Sequence, residues 1–212
     1  MTLVSCASKD YLVRLDAEDQ FIVAKKDFDG GKYSRAAEGF RRLTFEHPGS
    51  ARVDEAQFLL AMCYYKMKDH SQAEAEFRHL AVNYPDSPFS DDAFFYVGMT
   101  HYRQMPAHYH DQSETYKAID SFSRFLVKYP DSEFSSRAKE RITECRDRLA
   151  QKELENGKLY LKLGGVESAV LYFQHVALEY PDTEWGDEAK RLLNEWQDKT
   201  GSSESDTSQT KK

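Results

Sequence analysis

Residues 73–87 read Ala73-Glu74-Ala75-Glu76-Phe77-Arg78-His79-Leu80-Ala81-Val82-Asn83-Tyr84-Pro85-Asp86-Ser87, and the frame of this phrase occurs at three other places in the chain. One copy precedes it, Ala36-x3-Phe40-x6-His47-Pro48-Gly49-Ser50. Two follow, Ala118-x3-Phe122-x6-Tyr129-Pro130-Asp131-Ser132 and Ala169-x3-Phe173-x6-Tyr180-Pro181-Asp182-Thr183. In every copy a further alanine stands eight residues after the proline: Ala56, Ala93, Ala138 and Ala189. Alanine and phenylalanine four apart share one helical face, where the small side chain admits a neighbouring helix and the large one fills the gap. Proline stops the helix. The Asp-Ser or Asp-Thr that follows offers side-chain oxygens to cap the next helix. Helix, proline turn and helix in repetition predict an all-α stack of helical hairpins, each burying its apolar face only against its neighbours.

The pattern resembles the tetratricopeptide (TPR) consensus, whose later half reads A-x3-F with proline twelve residues after the alanine. Its earlier half is visible in Leu60-Ala61-x2-Tyr64 and Gly157-x2-Tyr160, although no tryptophan leads it. The resemblance implies a TPR-like solenoid. The alanines of successive copies lie 37, 45 and 51 residues apart, so residues are inserted before the third and fourth copies. The first insertion is a loop around Met105 to Thr115, broken by Pro106. The second lengthens a helix from about Ser136 to Leu163. Such additions are where a binding protein departs from a plain repeat. The chain divides into a tether over 1–15, a solenoid over 16–199 and a tail over 200–212, whose Ser, Thr, Gly and charge predict disorder.

Composition narrows the function classes. The formal charge is −7, with 36 acidic and 29 basic residues interspersed, which fits a solvated helical surface and not a nucleic-acid partner. No apolar run approaches the roughly 20 residues needed to cross a bilayer. Phosphate-binding and nucleophile-elbow motifs are missing, and Gly30-Gly31 and Gly164-Gly165 read as turns. His101, His108 and His110 with Asp111 are the one metal-like constellation, and they read as a solvated polar loop. No metal, cofactor or catalytic residue is therefore assigned, and the chain reads as a scaffold, not an enzyme. Of the three cysteines, Cys63 and Cys145 read as core thiols. The segment Leu3-Val4-Ser5-Cys6-Ala7 resembles a bacterial lipobox, which makes Cys6 the candidate lipidation site and implies a native start further upstream. Acyl chains on that cysteine would give a stable membrane anchor.

In TPR solenoids the first helix of each repeat lines the concave surface. Around the close-packing positions Ala24, Ala61 and Gly98, aromatic residues recur three before (Phe21, Phe58, Phe95) and four after (Phe28, Tyr65, Tyr102). Such a stripe is either inter-helix core or the lining of a peptide groove. The matching positions of the fourth copy are Leu154 and Leu161, which confines a groove to the first three repeats.

The lipobox, the repeated Tyr-Pro-Asp-Ser, the loop Asp111-Gln112-Ser113-x-Thr115-x2-Ala118 and Asp147-Arg148-Leu149-Ala150 on the lengthened helix together resemble the BamD family. These are outer-membrane lipoproteins of the β-barrel assembly machinery. The resemblance spans Cys6 to about Lys199. It implies a lipid-anchored scaffold of about five TPR-like repeat units on the periplasmic face of the outer membrane. The C-terminal half would bind the POTRA domains of a BamA-like barrel subunit, with Arg148 as candidate contact. The N-terminal half would receive unfolded outer-membrane proteins through their aromatic-ended C-terminal strands, which suits the ladder of six rings. Arg148 could make bidentate bonds to an acidic partner, or simply pair with Glu144. The alternative reading is another periplasmic TPR adaptor lipoprotein, coordinating cell division or linked to peptidoglycan.

Overall fold

The computed structural model describes residues 16–207, with side chains as far as 196. Cys6 and the tether over 1–15 lie outside the described residues. Among the described residues there are nine α-helices and no strand: α1 (Ala17–Asp29), α2 (Tyr33–Glu46), α3 (Val53–Lys66), α4 (His70–Asn83), α5 (Ser90–Arg103), α6 (Ser113–Lys128), α7 (Ser135–Lys162), α8 (Val166–Glu179) and α9 (Glu184–Thr207). They pair as four hairpins, α1–α2 to α7–α8, and α9 supplies the first helix of a fifth unit. This is the TPR-like architecture expected.

The repeated phrase sets the helix ends. The helices that carry it, α2, α4, α6 and α8, all stop two residues before their proline, at Glu46, Asn83, Lys128 and Glu179. His47, Tyr84 and Tyr180 leave the helix at φ −129°, −128° and −128°, because the proline ring excludes helical backbone from the residue before it. Caps differ from expectation. Only Thr183 directly precedes its helix, and its Oγ1 accepts from the Gly186 amide at 3.1 Å. Ser50, Ser87 and Ser132 stand three residues before theirs, so each hydroxyl accepts instead from the amide two residues on, in Arg52, Phe89 and Phe134. Ser87 and Ser132 also donate to Asp54 and Asp91 at 2.7 and 2.8 Å, tying each turn to the first turn of its hairpin's first helix.

Packing follows the same register. The alanine, the phenylalanine and the residue seven after the alanine (Leu43, Leu80, Phe125, Val176) are 0% exposed in all four copies. The shared face is thus the core, and each fully buried ring contributes roughly 2–3 kcal/mol by area. First helices approach closely at small residues: a Cβ on Gly98 would lie 2.6 Å from the Phe122 ring, and one on Gly157 2.7 Å from Phe173. Gly31, Lys68 and Gly164, each five residues before the repeat alanine, turn the chain at φ 72°, 63° and 81°.

Two compact units result. The first holds the described residues up to Gln104 together with Asp120–Ala138, around a core that runs from Phe21 to Val97. The second holds Met105–Ile119 and the described residues from Lys139 onward, around Leu149, Leu154, Phe173, Val176 and Tyr180. Both insertions appear where the spacing puts them: a loop between Arg103 and Ser113, and the 28-residue α7. Cys63 and Cys145 are buried free thiols, and burial pushes both up to about 12. Helix α9 runs on as far as Thr207. No helix among the described residues is long and apolar enough to cross a membrane.

Candidate functional site

The first unit separates the aromatic ladder into two sets. Phe21, Phe58 and Phe95 each pack on the phenylalanine of their own hairpin, with centroids 5.8, 5.8 and 5.6 Å from Phe40, Phe77 and Phe122. The position three before the close-packing residue faces the second helix, so these rings are core first. Phe95 is 0% exposed and also stacks on Phe134 at 4.7 Å, which places it beyond reach of a peptide. Phe28, Tyr65 and Tyr102, at the far ends of their helices, are half-buried. Arg103 donates from Nε to the Tyr65 hydroxyl at 3.1 Å. Phe58 is half-buried as well, sandwiched against Phe89 at 5.4 Å.

A residue outside the ladder changes its first rung. Phe89 and Phe134 stand four before Ala93 and Ala138, where each closes over the ring of the preceding hairpin. The first repeat has Arg52 there, and its guanidinium lies over Phe21 at 4.9 Å. Arg52 is held by Glu18 through two 3.0 Å bonds and by Glu55 through a third. The hydrogen bond from Arg52 lowers the Glu18 carboxyl below its ordinary value. Beside this pair an open cavity of about 360 Å³ is lined by Phe21, Ile22, Lys25 and Arg52 among others, with Ile22 54% exposed. Its apolar floor is ringed by the cations Lys25, Lys26 and Arg52 and the carboxylates Glu18 and Asp29. The signal was present in the register, as arginine at a position otherwise aromatic.

In the second unit, Gln112 organises the inserted loop. It is 3% exposed, and its amide donates to the carbonyls of Ala107, His108 and His110, while Thr115 donates to its Oε1 at 2.7 Å. Asp111 accepts from the Ser113 amide at 2.9 Å, and the hydrogen bonds from Ser113 lower its carboxyl below the usual value. Helix α7 grips the loop from the side: Arg148 donates to the Pro106 carbonyl at 3.3 Å and Lys152 to the His110 carbonyl at 2.8 Å. Glu144, the sequence-expected partner of Arg148, takes Arg141 at 2.6 Å. Arg148 is therefore a half-buried strut of a loop whose tip, Tyr109, is 71% exposed. His108 and His110 flank that ring with centroids 5.3 and 4.4 Å away. His101, in the first unit, is buried with Nε2 3.4 Å from Glu74. Among the described residues no three His, Cys, Asp or Glu side chains are grouped as metal ligands.

Comparison with known proteins agrees with this architecture. The family described as outer membrane lipoprotein, YfiO, matches residues 15–212. The outer membrane protein assembly factor BamD of Rickettsia prowazekii (strain Madrid E) is 27% identical over 155 residues, covering 73% of this chain. The chain spans 62% of that relative's length. With the family model matching nearly the whole chain, the chain belongs to the YfiO family of outer membrane lipoproteins and is BamD-like.

Proposed function

We propose that the chain is a non-catalytic scaffold for the assembly of outer-membrane proteins, tethered by acylated Cys6 to the periplasmic face of the outer membrane. The family match over 15–212 carries this reading. The N-terminal half receives unfolded outer-membrane protein segments. The rings in reach are Phe28, Phe58, Tyr65 and Tyr102, with Phe21 reached only through the cavity beside Arg52. The C-terminal half binds the POTRA domains of a BamA-like barrel subunit, and the surface for it is the loop over 105–111 that Arg148 braces. On this reading Arg148 acts by fixing the loop and by offering its remaining donors to an acidic partner.

Co-purification from native membranes, with mass measurement of the N-terminal peptide, tests partner and lipid in one preparation. The expected result is a large barrel protein in the eluate and acyl mass on Cys6. Recovery of a cell-division or peptidoglycan-binding protein instead, with no barrel, would establish the adaptor alternative. Arg148→Ala is expected to weaken binding of isolated POTRA domains at least tenfold. Tyr65→Ala with Tyr102→Ala should weaken an aromatic-ended strand peptide and leave the POTRA domains unaffected.

A further inference from the structure

One groove of the first unit is an exception to the repeat. It lies between α4 and α6 over α5, encloses about 170 Å³, and has a floor of Ala81, Val97 and Ser121, which are 6, 5 and 6% exposed. Phe94 forms a wall, and Val82, 74% exposed, forms the lip. One hairpin earlier the same register places Gln57 where Phe94 stands and Glu76 where Ser121 stands. There the position is full: Gln57 is 2% exposed, and its amide donates to the Glu76 carboxylate at 2.8 Å and the Glu76 carbonyl at 3.2 Å. Serine in place of glutamate leaves the second junction open.

The rim is cationic. Arg78 and Arg124 flank the opening, each paired along its own helix, with Glu74 at 2.8 Å and Asp120 at 3.5 Å. Their side chains are 51 and 67% exposed, and exposed pairs of this kind hold their charges weakly. Lys128 stands over the Phe94 ring at 5.1 Å. Both charged residues that line the groove are cations, on a chain of net charge −7. The volume is below the roughly 300–1,000 Å³ of small-molecule clefts, so it takes one side chain and not a cofactor or an acyl chain.

We infer that this groove docks an acidic segment of a partner protein, seating one apolar side chain against Ala81, Val97 and Phe94 while Arg78 and Arg124 hold a neighbouring carboxylate. Planar guanidinium forks bind carboxylates in bidentate fashion, so two of them at one mouth select for acid beside the anchor. This surface is separate from the aromatic ladder and from the Arg148 loop, and it adds a third binding region to the scaffold.

The test uses the full chain and fluorescein-labelled hexapeptides in which Leu, Ile or Phe is flanked by aspartates, with lysine-flanked controls, read by fluorescence anisotropy. At least one acidic peptide should bind saturably below millimolar concentration, and the lysine controls should not. Ser121→Glu, which refills the groove as Glu76 does, and Arg124→Glu should each weaken that binding at least tenfold. Arg124 is exposed, so its variant keeps the wild-type circular dichroism even where Ser121→Glu is destabilised. Equal binding of acidic and basic peptides, unchanged affinity in both variants, or no saturable binding of any acidic peptide would overturn the proposal. So would occupancy by another class: phosphatidylglycerol vesicles that bind through Arg78 and Arg124 while the peptides do not, or a dimer in sedimentation equilibrium that Arg124→Glu dissociates.

Discussion

Gly98→Ala sets two effects of opposite sign against each other in the first unit. Alanine is favoured over glycine in a helix interior by about 1 kcal/mol. The added Cβ, however, would meet Cδ1 and Cε1 of Phe122 at 2.6 Å and Cζ at 3.0 Å. Ordinary contact begins near 3.4 Å, so the ring has to retreat by roughly 0.8 Å (3.4 less 2.6). Phe122 has little room to do so, being 0% exposed with Phe95 at 5.6 Å. Overpacking of this kind costs about 1–3 kcal/mol, which leaves a net loss of up to about 2 kcal/mol once propensity is subtracted. Phe122→Leu removes the obstructing ring edge, so the pair should show a favourable coupling of about 1–2 kcal/mol in a double-mutant cycle. Gly49→Ala, with nothing within 4 Å of the added carbon, is the control and should move stability by less than about 0.5 kcal/mol. Urea unfolding followed by far-UV circular dichroism is the assay, with amide exchange in α5 and α6 to localise the change. Both tryptophans, Trp185 and Trp196, belong to the second unit, so their fluorescence reports elsewhere. A stabilised Gly98→Ala, or zero coupling with Phe122→Leu, would refute the close-packing account of the first helices.

Two further outcomes follow from backbone and charge. Lys68 holds the left-handed turn conformation that Gly31 and Gly164 hold at the equivalent positions, so Lys68→Gly should stabilise by about 0.5–1 kcal/mol in thermal or urea unfolding. Asp92 has its carboxyl raised to about 6, chiefly by burial and then by Asp91 and Glu133. Its folded value thus lies above the unfolded one, so the protonated form is favoured in the fold and stability falls as pH rises from about 4 to 6. Asp92→Asn should abolish that slope and stabilise at neutral pH by on the order of 1 kcal/mol, allowing for screening of a half-exposed group. Urea midpoints between pH 4 and 7.5 that run parallel in the two proteins would exclude this role.

Much of the fold is legible because one phrase carries both a packing rule and a stop signal. Alanine, phenylalanine and the residue seven on are buried wherever they recur, and proline ends each helix two residues early whatever precedes it. The lengthened α7 and the loop over 104–112 are readable as departures from the 37-residue period. The ladder was harder, because a common period shows that rings share a face without showing which way the face turns. Phe95 and Tyr102 are seven apart on one helix, yet the first meets Phe122 inside the hairpin and the second lies near the helix end. The partner of Arg148 was not legible at all. It is a backbone carbonyl of Pro106, brought within reach by a loop that Gln112 folds, and carbonyls carry no residue signature.

Where the repeat copies agree, they build the core; where they differ at one register, they leave grooves. The residue after Ala56 is Gln57 and the residue after Ala93 is Phe94, and the neighbour on the second helix of the same hairpin is Glu76 or Ser121. The first pair fills its junction and the second leaves a groove. Eight after the same alanines stand Tyr64, whose hydroxyl takes Arg41, and His101, which meets Glu74 beside Arg78. The turn position that is Phe89 or Phe134 elsewhere is Arg52 at the first hairpin, where it opens a cavity over Phe21. A stack held together by identical core positions tolerates such changes because the core rings, at 0% exposure, do not depend on them. Surface grooves on this fold are therefore made by subtracting side-chain volume or swapping an aromatic for a cation at a fixed register, without altering the hairpins that present them.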